Sequence, residues 1–237
     1  MKYEKGEVLR MPETRSNNTM PLLLHIATAI TGLIDAISYL ALGHVFTANM
    51  TGNVVFLAFA VAGAPGLSIR RSLTALVAFF IGALIGGQLA TRLAELVRPK
   101  WITTALSMES ALLLVATLAA IKFRDSSGSL FQSYSIIVLT ALAMGIRNAT
   151  VRKMAIPDLT TTVLTLTITG LAADSRFAGG TSPRWRRRLL AVLLMFFGAA
   201  IGTLLLRRSL VWPLATATFL SICCVAISMR RRDTATP

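Results

Sequence analysis

The chain has 237 residues, of which 54% are hydrophobic and only 14% are charged. Soluble domains usually carry about 25% charged residues, so this composition argues against one or two soluble domains. The net charge of +14 does not indicate nucleic-acid binding, because the basic residues lie between long apolar stretches rather than on one polar domain. The sequence therefore indicates a polytopic membrane protein whose surroundings are the lipid bilayer.

Eight apolar stretches follow one another along the chain, and each is about 20 residues long, enough to cross a hydrocarbon core of about 30 Å. We expect an all-α fold with about eight transmembrane helices. The alternative is six spans, in which the second or the sixth stretch is only partly inserted. The predicted spans are 22–43, 45–64, 72–93, 102–121, 133–151, 156–173, 189–206 and 210–228.

The two halves of the sequence resemble each other, which predicts an internal repeat. A shift of 109 residues aligns Thr31 with Thr140, and further along a shift of 116 aligns Gly82 with Gly198. Because four spans per unit is an even number, both units are predicted to point the same way, as two parallel four-helix repeats. The predicted parts are a cytoplasmic tail at 1–21, repeat one at 22–121, a cytoplasmic connection at 122–132, repeat two at 133–228 and a basic cytoplasmic tail at 229–237.

Lys and Arg residues are distributed unevenly over this predicted arrangement. Sixteen of the 24 lie in segments that share a side with the N-terminus, and eight lie elsewhere. Cytoplasmic loops of membrane proteins carry an excess of Lys and Arg. The distribution therefore predicts a multi-pass protein of the inner membrane with both termini in the cytoplasm.

Charged residues inside the predicted spans need a physical explanation, because a charge at mid-membrane costs about 2.5–3.5 kcal/mol on insertion scales. Such residues tend to face a bundle interior or a water-filled cavity. Glu109, Arg147 and Asp35 are predicted to share one slab of the membrane, with Arg147 in salt-bridge reach of either carboxylate. We interpret these three as ion-pair or proton-coupling residues. The alternative is an ion pair that only ties helices together.

Two polar segments, 47–53 and 158–162, begin the second and sixth predicted spans. Asn and Gly disfavour helices, and non-helical backbone at this depth is tolerated where it is buried in protein or lines a cavity. Polar, helix-breaking segments at matched positions of two repeats indicate a binding site in transporter-like folds. The alternative is a seam of interhelical hydrogen bonds. The predicted site for an unknown small polar solute, between the two repeats, comprises Asp35, Asn49, Thr51, Asn53, Asn148, Asp158 and Thr160.

The sequence contains no recognisable catalytic motif or metal-ligand spacing. His25 and His44 are far apart, and the adjacent Cys223 and Cys224 suit neither a disulfide nor a zinc site. We therefore expect no catalytic residue, no metal and no cofactor. A membrane scaffold or a small intramembrane enzyme is the alternative to a solute permease.

Glycines spaced four residues apart mark the third and seventh predicted spans. Gly82 and Gly86 form one pair, and Gly198 and Gly202 form the other. Small-residue faces let helices approach closely. We expect tight packing at these faces, which also offer surfaces for a homo-oligomer.

Four sequence blocks resemble a known family. They are Thr-Gly-Leu-Ile-Asp at 31–35, Asn-Met-Thr-Gly-Asn at 49–53, Ala-Met-Gly-Ile-Arg-Asn-Ala at 143–149 and Pro-Asp-Leu-Thr-Thr-Thr-Val at 157–163. The chain resembles, from about residue 28 to residue 208, the YoaK-like family of bacterial integral membrane proteins of unknown function. This resemblance implies a bacterial cell-membrane protein, sometimes described as a permease, with no established substrate, cofactor or catalytic residue. The sequence departs from the family pattern at Arg147, where the family commonly has Gln.

Overall fold

The computed structural model describes residues 19–94, 98–121, 130–154, 164–182 and 184–233, and within these ranges the regular structure is entirely helical. The all-α prediction is therefore confirmed for the described residues. Within these ranges a 3-10 turn at Arg176–Ala178 lies between the sixth and the seventh α-helix. The helices are α1 Thr19–Ala41, α2 Met50–Val61, α3 Ile69–Ala94, α4 Arg98–Ile121, α5 Leu130–Met154, α6 Leu164–Ala173, α7 Trp185–Leu206 and α8 Val211–Asp233.

Six of the described helices, all except α2 and α6, are long and apolar enough to cross a membrane. The other two contain 12 and 10 residues. At 1.5 Å per residue they extend about 18 and about 15 Å, which is well short of a hydrocarbon core of about 30 Å. The described helices therefore fit the six-span alternative, and α2 and α6 do not supply the two further spans that the sequence predicts. Residues 155–163, which include Asp158 and Thr160, lie outside the described residues.

One end of the helix bundle, here called the terminal end, holds the start of α1. Met20 of α1, Ala90 of α3, Trp101 of α4 and Met154 of α5 belong to one apolar cluster there. The C-terminal part of α8 lies at the same end, because Ser228 bonds a residue in the first turns of α4. Thus α1 and α4 begin at the terminal end, and α3, α5 and α8 finish there.

The opposite end, here called the far end, holds the finish of α1 and the start of α3. The guanidinium of Arg71, near the start of α3, lies against Gly43, just after α1. Since α1 finishes at the end where α3 begins, α2 lies between them without crossing the bundle. By the same reasoning α6 lies at the terminal end, where Arg188 in the first turn of α7 bonds Gly170 of α6.

Helices α1 and α5 run in opposite directions. Leu24 of α1 packs with Val151 of α5, whereas Thr31, farther along α1, hydrogen-bonds Arg147, which comes earlier in α5. The prediction of two parallel repeats is therefore wrong. The physical reason is that the second apolar stretch forms a short helix that does not cross, so that α3, α4 and α5 all run opposite to the predicted directions.

Glycines allow two pairs of helices to pack in close parallel contact. A Cβ atom at Gly82 of α3 would collide with the backbone of α5, and one at Gly198 of α7 would collide with the backbone of α1. Gly86 and Gly202 make similar contacts one turn later. The predicted tight packing is confirmed, but α5 and α1 already cover these faces. The prediction of a homo-oligomer through the same faces is therefore not supported.

The two glycine contacts correspond residue by residue. Gly32 of α1 lies against Met195 of α7, and Gly145 of α5 lies against Phe79 of α3. A shift of 113 takes Gly32 to Gly145, and a shift of 116 takes Phe79 to Met195. The shift of 109 that the sequence predicts for α1 and α5 is therefore wrong by about one helical turn.

A polar seam joins α4 and α8, which run antiparallel. Its three hydrogen bonds have oxygen–oxygen distances of 2.7–2.9 Å. Their residue numbers rise along α4 while they fall along α8. The middle bond lies near the centres of both helices. The pairs are Thr103–Ser228, Ser110–Ser221 and Thr117–Thr218.

Candidate functional site

A buried ion pair lies at the middle of the bundle. Glu109, in the middle of α4, is 1% exposed, and Arg147 of α5 is 4% exposed. The Arg147 Nε atom donates a hydrogen bond of 2.9 Å to Glu109 Oε2, and Nη2 pairs with Oε1. This fork-to-fork geometry is the strongest form of an arginine–carboxylate contact. Arg147 thus has its counter-ion on α4.

Further hydrogen bonds connect the ion pair to α1 and α8. Arg147 Nη1 donates to the Ala27 carbonyl oxygen over 2.9 Å and to Thr31 Oγ1 over 3.4 Å. Ser221 of α8 bonds Glu109 Oε1 over 2.9 Å. All three guanidinium nitrogens and both carboxylate oxygens therefore have partners. A fully satisfied network of this kind fixes the relative positions of four helices.

A cavity of about 30 Å³ extends from the ion pair toward the terminal end, between α1, α4 and α5. A water molecule needs roughly 10–15 Å³ measured in this way, so the cavity has room for about two. Its walls are mainly apolar, with Leu24, Ile102 and Val151 among them. Glu109 and Arg147 close its inner end. The cavity thus lies on the terminal-end side of the ion pair.

Asp35 lies apart from this network. It is one turn beyond Thr31 on α1, on the far-end side of the ion pair, and it is 7% exposed. Its Oδ1 atom has no hydrogen-bond partner among the described residues, while the Ala48 backbone N–H is directed at its carboxyl group. Arg147 reaches Glu109 rather than Asp35, because the antiparallel α1 and α5 bring Arg147 to the level of Ala27.

The turn before α2 is built around Asn53. The Asn53 side chain is fully buried, accepts a 2.8 Å hydrogen bond from the Phe46 N–H and donates to the Phe46 carbonyl oxygen. Gly52 leaves room for the Phe46 ring, which stacks on Tyr39 and Phe56. Asn53 thus fixes the local backbone. This bonding satisfies both of its polar groups within the chain.

The remaining residues of the predicted site do not converge. Asn49, just before α2, and Thr51 of α2 are exposed at the far end. Asn148, whose Nδ2 donates to the Met144 carbonyl oxygen, lies in the terminal half of α5, away from Asp35. Asp158 and Thr160 fall outside the described residues. The structure brings together Glu109 and Arg147, but it does not bring Asp35, Asn49, Thr51, Asn53 and Asn148, the described residues of the predicted solute site, into one cleft.

Three buried polar residues at the site are missing from the sequence-based prediction. Ser110 and Ser221 bond each other beside Glu109, and Thr47 is buried next to the turn that precedes α2. The seam had a sequence signal, because Thr103, Ser110 and Thr117 recur every seven residues along one helix face. Thr47 belongs to the predicted polar segment 47–53, but its burial depends on how the non-helical segment folds back.

Comparison with known proteins places the chain in a family. The family described as "Protein of unknown function (DUF1275)" matches residues 23–227. A Bacillus subtilis (strain 168) protein, the UPF0700 transmembrane protein YoaK, is 35% identical over 152 residues, which is 64% of this chain and 65% of that protein. The aligned part thus spans less than two thirds of the length of the relative. No solved structure matches. The expected resemblance is therefore confirmed, and the chain belongs to the DUF1275 family of YoaK-like membrane proteins, whose function is unknown.

Proposed function

We propose that the chain is a small-solute permease built from two inverted halves, α1–α4 and α5–α8. The observation that carries this proposal is the correspondence between the α1–α7 and α5–α3 contacts, combined with the opposite directions of α1 and α5. Inverted-topology repeats are a common plan of secondary transporters, because two halves of opposite orientation can open alternately to either side. Three crossings per half, an odd number, give this inversion.

The short helices support the same function. Helix α2 lies at the far end and α6 at the terminal end, so each half contributes one short helix that does not cross the bundle. Interrupted helices at corresponding positions commonly mark the solute path of transporters. The hydrogen bond between Ser110 and Ser221, near the middle of the α4–α8 seam, is where we place the pseudo-twofold axis.

We propose that the terminal end faces the cytoplasm of a bacterial cell. With six crossings, 17 of the 24 Lys and Arg residues belong to the tails, the connections and the helix ends on this side of the bundle. Cytoplasmic segments carry such an excess, and the bias is stronger than in the eight-span arrangement. These residues are Lys2, Lys5, Arg10, Arg15, Arg92, Arg98, Lys100, Arg152, Lys153, Arg176, Arg184, Arg186, Arg187, Arg188, Arg230, Arg231 and Arg232.

The solute path that we propose runs past Asp35, the ion pair and Asn148. A shift of 113 takes Asp35 to Asn148, so these two polar side chains occupy corresponding positions near opposite ends of the path. In this proposal the cavity on the terminal-end side of the ion pair is the cytoplasmic entrance of the path. Carboxylate, amide and guanidinium groups along an otherwise apolar path suit a small polar solute better than an apolar one.

A membrane scaffold is the second candidate. It is favoured by the full hydrogen bonding of the Glu109–Arg147 network, which is also what a purely structural tie between helices requires. A scaffold predicts that altering this network unfolds the protein and that no solute crosses the membrane. A permease predicts folded variants that lose transport.

Uptake into proteoliposomes distinguishes the two candidates. Small sugars, amino acids, polyols and quaternary amines are screened with wild type, with and without a pH gradient. Asn148→Ala is then compared with Thr51→Ala, which removes an exposed polar group from α2 and serves as the control. We expect uptake of one solute class, retained by the control and lost in a folded Asn148→Ala protein. Absence of uptake for every solute by folded wild type contradicts the permease.

A further inference from the structure

Asp35 is the single acidic residue in the described part of the far half, which comprises residues 30–61, 69–81, 110–121, 130–142, 196–206 and 211–222. The helices that pack on α1 there, α5, α7 and α8, contribute Tyr134 as their one titratable side chain in these ranges. Two further titratable residues follow Asp35 in the chain: Tyr39 on α1 and the exposed His44 just after α1. The buried cation Arg147, which bonds Thr31 one turn before Asp35, has Glu109 as its counter-ion, and no described cation forms an ion pair with Asp35.

The basic residues nearest to the far end are directed elsewhere. Arg70 is exposed, and the Arg71 guanidinium lies against Gly43, with no ion pair to Asp35. Arg207 and Arg208 are exposed beyond the end of α7. Asp35 thus differs from Glu109, whose two carboxylate oxygens are both hydrogen-bonded.

A second buried polar atom without a hydrogen-bond partner among the described residues lies in the segment between α1 and α2. Thr47 is fully buried, and its Oγ1 atom, like Asp35 Oδ1, has no hydrogen-bond partner in the described ranges. The next residue, Ala48, directs its backbone N–H at the Asp35 carboxyl group, so the chain passes this carboxyl group at the residue after Thr47. Asn53 fixes the backbone of Phe46, the residue before Thr47.

The backbone at this place is not helical. Residues 42–49 join α1 to α2 without forming a helix, although Leu42 and Val45 are almost completely buried. Unwound backbone at membrane depth is found where it is buried in protein or lines a cavity, and in transporters it commonly supplies ligands to coupling ions. A carboxylate, a hydroxyl and unwound backbone are the groups that bind protons and Na⁺ in such proteins.

We propose that Asp35 and Thr47 form a binding site for a small monovalent cation, either a proton or Na⁺, that neutralises the buried carboxylate. This inference rests on the proposed permease in one respect, namely that the bound cation drives solute movement. Binding itself does not depend on transport and is measured separately. Failure of the solute screen therefore leaves the cation site testable.

The first experiment measures Na⁺ on purified protein in detergent or nanodiscs. If Na⁺ is the ligand, radioactive Na⁺ binds at about one ion per chain, and Na⁺ raises the unfolding temperature whereas K⁺ and choline do not. Asp35→Asn abolishes both effects, and Thr47→Val weakens the affinity by about tenfold because one oxygen ligand is lost. Asp174→Asn is the matched control, since it removes a carboxylate at the opposite end of the bundle.

The second experiment detects a proton by infrared spectroscopy. If the ligand is a proton, wild type shows a protonated-carboxyl C=O band over some part of the range from about pH 5 to about pH 9. The band disappears in Asp35→Asn, remains in Asp174→Asn and shifts in frequency in Thr47→Val. Should Asp35→Asn fail to fold, the wild-type and Thr47→Val measurements still decide. No Na⁺ effect together with no Thr47-sensitive carboxyl band overturns the proposal.

Discussion

The α4–α5 and α1–α8 interfaces correspond to each other, yet their centres differ in chemistry. One holds the Glu109–Arg147 ion pair. In the proposed inverted repeat, the axis at Ser110 and Ser221 implies a shift of 111 between α4 and α8, which takes Glu109 to Leu220, and the shift of 113 relates Arg147 to Ile34. Ile34 is fully buried in the main apolar cluster, and Leu220 packs against that cluster. An apolar pair therefore provides the same helix packing. Since burying charges is costly, the ion pair indicates a role for its polarity beyond packing.

A second difference separates the same two regions. The terminal half contains the cavity beside the ion pair, lined by Leu23 and Leu24. The corresponding residues of the far half, Ile136 and Ile137, are completely buried in the core. The terminal half thus contains a small cavity at positions whose counterparts in the far half are tightly packed. In an inverted-repeat transporter this is the asymmetry of a single access state, and exchanging the conformations of the halves would give the other state.

The largest expected effect comes from breaking the polar centre. Arg147→Ala leaves Glu109 as an unpaired buried charge, so we expect a loss of about 3–5 kcal/mol in unfolding free energy, measured by denaturation in detergent. The double change Glu109→Leu with Arg147→Ile copies the α1–α8 interface and should recover most of that loss. If the double variant is as unstable as the single one, the two interfaces are not interchangeable.

A change at the glycine contacts tests the helix packing that both halves share. Gly145→Val places side-chain atoms where the backbone of α3 lies, and we expect a cost of about 1–3 kcal/mol or a failure to fold. Gly87→Ala is the control, because a Cβ atom there meets nothing within 4 Å and alanine favours the helix. Equal unfolding temperatures for Gly145→Val and wild type would contradict the close α3–α5 contact.

The short helices are anchored differently, and Asn53→Ala tests the anchor of α2. The change leaves the buried N–H and carbonyl of Phe46 without partners, so we expect a destabilisation of about 1–3 kcal/mol. Thr51→Ala, at an exposed position of the same helix, should change stability by less than about 0.5 kcal/mol. Comparable values for the two variants would show that Asn53 is not the anchor.

The smallest effect is expected at α6. Arg188 bonds both the Gly170 carbonyl oxygen and Asp174, each over 2.6 Å, but the Asp174 side chain is 44% exposed. Exposed ion pairs contribute about 0–1 kcal/mol, so Asp174→Asn should lower the unfolding free energy by less than Asn53→Ala does. High salt should remove most of this difference, because it screens exposed charges. A larger loss for Asp174→Asn would reverse the ranking of the two anchors.

The sequence predicted the helical class, the membrane setting and the close glycine contacts, because these depend on local composition. It failed on helix direction, since hydropathy alone does not reveal that 45–64 forms a helix of only 12 residues. That single error reversed α3, α4 and α5, and it set Asp35 level with Arg147. Glu109 and Arg147 stayed together in the prediction, because their two helices were reversed as a pair.

The candidate site was less predictable for a related reason. Whether an Asn side chain binds a solute or its own backbone depends on tertiary geometry, and Asn53 bonds the backbone of Phe46. Thr47 gave no sign in the sequence of its burial. Composition thus indicated which polar residues lie within the predicted spans, while only the fold decides which of them have hydrogen-bond partners inside the chain.

The exchange of packing partners between the halves has a consequence for biosynthesis. Gly32 of α1 needs the backbone of α7, which leaves the ribosome only after Trp185 has been made. Until then α1 presents its small-residue face to lipid or to an insertion chaperone, although it is already in the membrane. Packing of the first half must therefore wait until α7 has been made, and a chain cut between α4 and α5 should regain its structure when both fragments are produced together.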